Sequence, residues 1–518
     1  QRIAEGIDAV DSGGTVIADA GTFTENVTVG KRVTLQGPSS GTATVDATTG
    51  PPGGTGEGIV VTVPGVTVDN LTVDAERIGI AVRGVTTTAS DGITLTNNTL
   101  TFPNQEFDAD NSGTAGDAIG EQAIGIRISD VSGPTAPVIE DNVIGTPGST
   151  TGGPFYGYAL FSVQAASPGV TIRQTVPGVS INGTQQGIIV SGDNPILGTS
   201  APSEFEVVGV AMDNFTGDSP IRAVNFHAGV FVSTQSALSE PIEGSLQGVS
   251  VSNTGIANGG AGGQASAGLY FGDFSGSSNT QNITVDEATL IGNDNRGVFL
   301  RGQGATATVT NSELTDNGDA PFMAGGNYGY SAIARNNGNL TIETSLITGP
   351  GSVTGSNPSD NDLVQISAGG NVTVTRSQLD RNGIGDYITS SGGGDLDASG
   401  NAFVDGGTGV DPRNPPAGGI AGGADISPFI IPANTDDQDP STLGFQGDFS
   451  DLGIDSGSPQ LGTAGTRIEE AVDIGGSDTI RLYATGGTSN TYAVPSPVTV
   501  PNNLQIAEDL AFASSPNE

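Results

Sequence analysis

The 518-residue chain contains no cysteine and no tryptophan, one histidine and two methionines, and aromatic residues make up only 5% of it. Without cysteine there is no disulfide framework, and redox compartment leaves no mark on the sequence. No run approaches the 18 or more apolar residues of a membrane helix, so no membrane span is expected. No signal peptide is visible at the start, and Gln1 stands where an initiator methionine would, so a processed chain or an excerpt of a longer one is expected. Positive charge is also scarce: 16 Lys and Arg face 56 Asp and Glu, for a net charge of -40. Such a surface repels phosphate backbones, which excludes DNA and RNA as partners.

Glycine, by contrast, occurs 82 times, and the apolar residues are mostly Val, Ile, Leu and Ala spread evenly along the chain. Their spacing is periodic rather than sparse, which argues against disorder and for an elongated repeat fold built as one unit. Lys31 is the only lysine, so arginine supplies the other basic groups. Arginine for lysine with many carboxylates is a balance similar to that of halophile proteins, whose surfaces stay hydrated while concentrated salt screens self-repulsion.

Short alternating runs mark strands: GVTVDNLTV (65–73), GITLTNNTL (92–100), GVSVSNTGI (248–256), NITVDEATL (282–290), ATVTNSEL (307–314), NVTVTRSQL (371–379) and DLDASGNAF (395–403). An apolar residue recurs five positions after the last apolar residue of the first strand. The pairs are Val68 and Val73, Leu95 and Leu100, Ile139 and Ile144, Val251 and Ile256, Val285 and Leu290, Val309 and Leu314, Ile342 and Ile347, Val374 and Leu379, and Ala398 and Phe403. Successive pairs in the second half are separated by 34, 24, 33, 32 and 24 residues. A fixed local motif on a variable step predicts a solenoid, in which each coil presents the same strand and turn to its neighbours and bulges elsewhere. Equivalent strands then pair in parallel, about 4.8 Å apart along the axis. Asn and Asp tolerate left-handed backbone and bond their own main chain, which places corners at Asn70, Asn97, Asp141, Asn253, Asn311 and Asn401. The N-x-T triplets at Asn26, Asn70, Asn282, Asn339 and Asn371 suit such corners and strands better than glycosylation.

IAEGIDAVDSGGTVIADAGTFTENVTVGKRVTLQG (3–37) resembles the cap and first coil of right-handed parallel β-helix proteins of the pectin lyase-like superfamily. Ile3, Ile7 and Val10 match the apolar face of its cap helix, and Val16 to Val29 match its V-x-[IVA]-x-x-G-T-[FY]-x-E-x-V-x-V run, with Ala18 at the third position. The resemblance extends to about residue 430. It implies an all-β, right-handed, single-stranded parallel β-helix with an N-terminal cap helix, a fold that carries enzymes, adhesins, tailspikes and structural proteins alike.

The expected organisation is a β-helix over residues 1–430 with insertions near 101–122 and 186–247. A Pro- and Asp-rich linker follows over 431–466, carrying Pro432, Pro440, Asp436, Asp437 and Asp439. The beginning then returns. Ile468, Glu470, Val472 and Asp473 match Ile3, Glu5, Ile7 and Asp8 at a constant offset of 465, and 479–506 matches 15–35 with a few residues inserted. Residues 467–518 therefore read as a restarted cap and first coil. They are expected either to begin a second β-helix unit or to dock head to tail on another copy of the chain.

Enzymes of the resembled fold act on acidic polysaccharides with carboxylates, Arg or Lys bases and often calcium, but none of their residue sets can be carried over here. The chain has only His227 and Lys31, and its Asn-Thr-Asp-Asp run (434–437) stands alone in the expected linker. Two charged groups remain as enzyme candidates, Asp294 with Arg296 and Arg301, and Asp380 with Arg381 and Asp386. Both follow corners, where polar residues are expected in any case, and no catalytic residue is assigned. DADNSG (108–113) spells a calcium loop with Asp108, Asp110 and Ser112 at positions 1, 3 and 5 and Gly113 at position 6. Ile119 replaces the usual Glu at position 12, and Asp117 or Glu121 is the substitute. The sequence thus leads us to expect an extracellular structural or adhesive β-helix, a repeating unit of a surface filament. A polysaccharide-binding or polysaccharide-degrading protein, or a tailspike, is the alternative.

Overall fold

The computed structural model describes residues 2–48, 56–103, 123–146, 156–165, 169–184, 186–191, 203–213, 228–233, 242–254, 267–272, 281–293, 295–318, 329–350, 362–383, 385–415, 419–420, 423–455, 461, 467–475, 479–483 and 505–508. Among the described residues three long sheets of 13, 14 and 12 strands run side by side, and in each the chain returns one coil later to pair in parallel, except at the last strand of the second sheet, which pairs antiparallel. We call them A, B and C, beginning with the strands Thr15–Ile17, Gly21–Thr24 and Val27–Val29. The protein is a parallel β-helix whose coils run from A through B to C.

The five-residue spacing has a direct cause. Val68, Leu95 and Ile139 stack in sheet A, while Val73, Leu100 and Ile144 stack in sheet B. Two residues after the first member the backbone turns left-handed, at Asn70, Asn97, Asp141, Glu287, Asn311, Thr344, Arg376 and Gly400. Val251, expected as a first member, lies instead in sheet B, paired with Met212 and Leu290. The first member of that coil is Leu246 and its corner is Gly248, so Asn253 turns out of sheet B, and Ile256 lies outside the described residues. Gly400, with φ of +70°, takes the corner expected at Asn401. Asn401 instead follows the corner and is fully buried.

That following position carries a second ladder. Asn98 Oδ1 accepts the Leu71 N–H (3.1 Å) and Asn142 Oδ1 accepts the Asn98 N–H (3.0 Å). Further along, Ser312, Ser345, Ser377 and Asn401 each cap the backbone N–H of the preceding coil's Ala288, Ser312, Ser345 and Ser377. A sharp corner leaves backbone donors inside the coil, and a short polar side chain from the next coil satisfies them.

Sheet C is built differently. Its strands are buried on both faces and read as continuous apolar runs, as in Glu57–Val61 and Gln186–Ser191. Near the start of most of them stands a glycine. A Cβ at Gly125 would lie 2.5 Å from the Gly157 carbonyl and 2.8 Å from two Ile144 side-chain carbons, and Gly157 meets Gly187 and Ile181 in the same way. Glycine at this column lets sheet C approach sheet B closely.

An open coil end exposes core and needs a cap. Helix α1 (Ile3–Ala9) provides it, burying Ile3 and Ile7, with Val10 packed at the margin. The Glu25 carboxylate, 4% exposed, accepts the N–H groups of Ile3 (2.6 Å) and Ala4 (3.2 Å), supplying acceptors at the positive end of the helix.

At the other end the stack continues to residue 430, with parallel bridges from Ile388 to Ile420, Asp397 to Asp425 and Asn401 to Phe429. Parts of 431–466, the expected linker, lie against the solenoid. Thr344 O accepts the Phe445 N–H (2.9 Å), and the Gln378 side chain donates to Thr435 O (2.6 Å). A four-stranded sheet follows, in the order Phe429–Ile430, Asp451–Asp455, Thr479–Tyr483, Gln505–Glu508. Helix α2 (Arg467–Gly475) joins it, and Ala402, Ile430, Phe445, Leu452, Ile454, Ile468, Ala471 and Ile480 form one apolar cluster.

Candidate functional sites

The outward face of sheet C gathers positive charge and aromatic rings in a chain poor in both. Ala81, Arg127, Ala159, Ile189, Phe231, Tyr270, Phe299, Ile333 and Gln365 are successive partners in one column. Many of them belong to an apolar cluster separate from the solenoid core. Phe231, Tyr270 and Phe299 touch in series, with ring centroids 5.1 and 4.8 Å apart. Among the described residues, Arg83, Arg127, Arg296, Arg301 and Arg335 belong to strands of sheet C.

Their environments differ. Arg83 makes a two-pronged ion pair with Glu57 (2.9 and 3.0 Å). Arg127 lies 5.4 Å over the Phe161 ring, and burial lowers its pKa, with Arg83 and Arg77 adding to the effect. Arg296 is 4% exposed and stacks 4.5 Å over Phe299. Burial pushes its pKa down to about 10, with Arg335 and Arg301 acting in the same direction against Tyr330 and Tyr270, so it stays charged at neutral pH. Such a guanidinium gains from an anion able to replace its lost water.

Of the first candidate group, Arg296 and Arg301 occupy opposite ends of one strand of sheet C; Asp294 lies outside the described residues, as do His227 and all four calcium candidates, Asp108, Asp110, Ser112 and Asp117. Among the described residues no group of three or more His, Cys, Asp or Glu is placed to hold a metal ion.

The second candidate group is brought together, and its carboxylates serve the backbone. Asp380 accepts the N–H groups of Asn382 (2.8 Å), Gly406 (2.9 Å) and Gly407 (3.1 Å). Arg381 donates to Asp405 (2.8 Å) and to Gly385 O (3.2 Å), and lies 5.7 Å over the Tyr387 ring. Its hydrogen bond holds the Asp405 carboxyl below the usual range, whereas burial raises that of Asp386. These contacts tie the last coils together.

The other candidate is the C-terminal junction. Strand Thr479–Tyr483 pairs in parallel with Gln505–Glu508, joining Thr479 to Gln505 and Ile480 to Ile506. Thr15–Ile17 pairs with Thr34–Gln36 in the same sense, joining Thr15 to Thr34 and Val16 to Leu35. Helix, strand and returning strand thus recur in order, α1 becoming α2. On its other side Thr479–Tyr483 pairs with Asp451–Asp455, where Arg481 and Asp451 form a two-pronged ion pair (2.6 and 2.7 Å).

The fold and its ladders define the class as parallel β-helix. No protein-family model matches the chain, and no curated protein sequence does.

Proposed function

We propose that this chain is a structural or adhesive β-helix of pectin lyase-like type, a repeating unit of an extracellular surface filament that joins copies head to tail through residues 467–518. The observation that carries the reading is the recurrence of α1 and the strand pair Thr15–Ile17 with Thr34–Gln36 as α2 and the pair Thr479–Tyr483 with Gln505–Glu508. The segment packs on this chain's own strand Asp451–Asp455 and apolar cluster, and its strand Gln505–Glu508 ends the sheet among the described residues, where a further coil can add. The charge of -40 suits assembly at high salt, where repulsion between copies is screened. Sedimentation velocity in multi-molar salt tests the reading. The full chain is expected to form species heavier than its 51.5 kDa, growing with concentration, and a chain ending at residue 466 to stay monomeric. A monomer at all concentrations for the full chain would refute it.

A second reading, binding of an acidic polysaccharide at the rim of sheet C, is favoured by Arg301 and Arg335, which are accessible at adjacent strand ends while the aromatic column beside them is buried. Replacing Arg301 and Arg335 together by Ala is expected to weaken binding of a polyuronate at least tenfold in calorimetry if that reading holds, and unaltered binding would remove it.

A further inference from the structure

We infer that the free edge of Thr15–Ile17 is the acceptor for strand Gln505–Glu508 of a second copy of this chain, so that the coil carrying Gln505–Glu508 in one copy is continued by the coil carrying Thr15–Ile17 in the next. The inference rests on the filament reading and adds which edges meet, and in what register.

Thr15–Ile17 is the terminal strand of sheet A among the described residues. Gly14 O accepts the Thr34 N–H (3.0 Å) and the Ala18 N–H donates to Gln36 O (2.8 Å), so even-numbered residues here face the neighbouring coil. In a parallel ladder alternate residues serve opposite sides, which leaves the N–H and C=O of Thr15 and Ile17 on the free edge. Its sequence, Thr-Val-Ile, has neither the charge nor the proline that usually blocks edge pairing. Ile17 is 65% exposed, more than any other large apolar side chain among the described residues.

In the chain's own repeat the corresponding edge carries a strand. Thr479–Tyr483, the counterpart of Thr15–Ile17, carries Asp451–Asp455 in parallel on the corresponding side with helix α2 in place. A cap helix and an added strand are therefore compatible at the start of this unit. The donor follows from the same comparison. Gln505–Glu508 ends its sheet among the described residues, paired on one side only. Its counterpart Thr34–Gln36 is paired on both sides, the second through Thr34 to Thr67, Leu35 to Val68 and Gln36 to Asp69. With Thr15–Ile17 of the next copy in the place of Thr67–Asp69, Gln505 faces Thr15, Ile506 faces Val16 and Ala507 faces Ile17. All the strands concerned are parallel, so the contact is heterologous and open, the geometry of a filament rather than a closed dimer.

A chain without cysteine lets introduced thiols report alone. Ile17→Cys and Ala507→Cys chains, mixed equally in multi-molar salt under mild oxidation, place their Cα atoms about 5 Å apart if the register is right, within disulfide reach. The expected result is a 17–507 bond, found by peptide mapping in at least fivefold excess over 17–17 and 507–507 bonds. Ile17→Pro removes a free-edge donor and is expected to shift sedimentation to monomer while circular dichroism still reports the β-helix. Oligomers that form without the 17–507 bond and persist in Ile17→Pro would overturn the edge assignment and leave the filament reading standing. No oligomers in any mixture would overturn both.

Discussion

Gly125→Ala is expected to destabilise the protein by about 3 kcal/mol, the upper part of the usual range for forced overpacking. The added methyl would meet the Gly157 carbonyl at 2.5 Å and the Ile144 side chain at 2.8 Å, and both belong to fully paired strands with no room to retreat. The carbonyl can withdraw only by stretching the ladder to the next coil, which spreads the damage along the axis. Gly30 is the matched control. Nothing lies within 4 Å of a Cβ built there, and its backbone is not left-handed, so Gly30→Ala is expected to be neutral or slightly stabilising. Urea unfolding at constant high salt measures both, and similar midpoints for the two variants would contradict the close approach of sheets B and C.

Asn142→Ala is expected to cost as much, again about 3 kcal/mol, by a different route. The Asn142 side chain accepts from the Asn98 backbone (3.0 Å) and side chain (3.0 Å) and donates to Leu95 O (2.8 Å), all in the buried interior. Truncation leaves the buried Asn98 N–H without its acceptor and takes one of two acceptors from the Asn98 side-chain amide, which keeps Val68 O (3.0 Å). An orphaned buried donor costs about 1–3 kcal/mol, and the emptied volume adds to it. Asn142→Ser is the discriminating companion. Serine fills the corresponding place at Ser312, Ser345 and Ser377 and caps the neighbouring N–H there, so it is expected to recover a substantial part of the loss. Equal losses for Ala and Ser would mean that volume, and not the hydrogen-bond ladder, sets the cost.

Sheets A and B were legible in the sequence because one side of each strand meets water and the apolar residues alternate. Eight of the nine apolar pairs span a corner between sheets A and B, one of them with Gly400 turning where Asn401 was expected, but the ninth is misplaced: Val251 lies in sheet B, and the corner of that coil is Gly248, preceded by Leu246. Sheet C escaped for the opposite reason. With both faces buried, IGIAV, YGYAL, AGVFV and RGVFL show no alternation. Their shared signal is a glycine followed by an apolar run, repeated once per coil, and the steric demand at that glycine becomes visible only when the next coil's carbonyl is placed beside it. The arginine and aromatic column was hidden with it, since Arg127, Tyr270 and Phe299 are far apart in sequence and adjacent only through the stacking register. Asp380 stood out in the sequence beside Arg381 and Asp386, but its role depends on backbone donors from Gly406 and Gly407, which lie one coil away.

The restarted cap was read from sequence similarity, and its meaning turns on whether coils continue past it. Electron microscopy of negatively stained protein in multi-molar salt, with and without residues 467–518, asks this most directly. Thirteen stacked strands of sheet A at about 4.8 Å each give one unit a length of about 60 Å. The account predicts end-to-end filaments many times that length for the full chain, lost when 467–518 are removed. Uniform single rods of about one unit's length in both samples would contradict it.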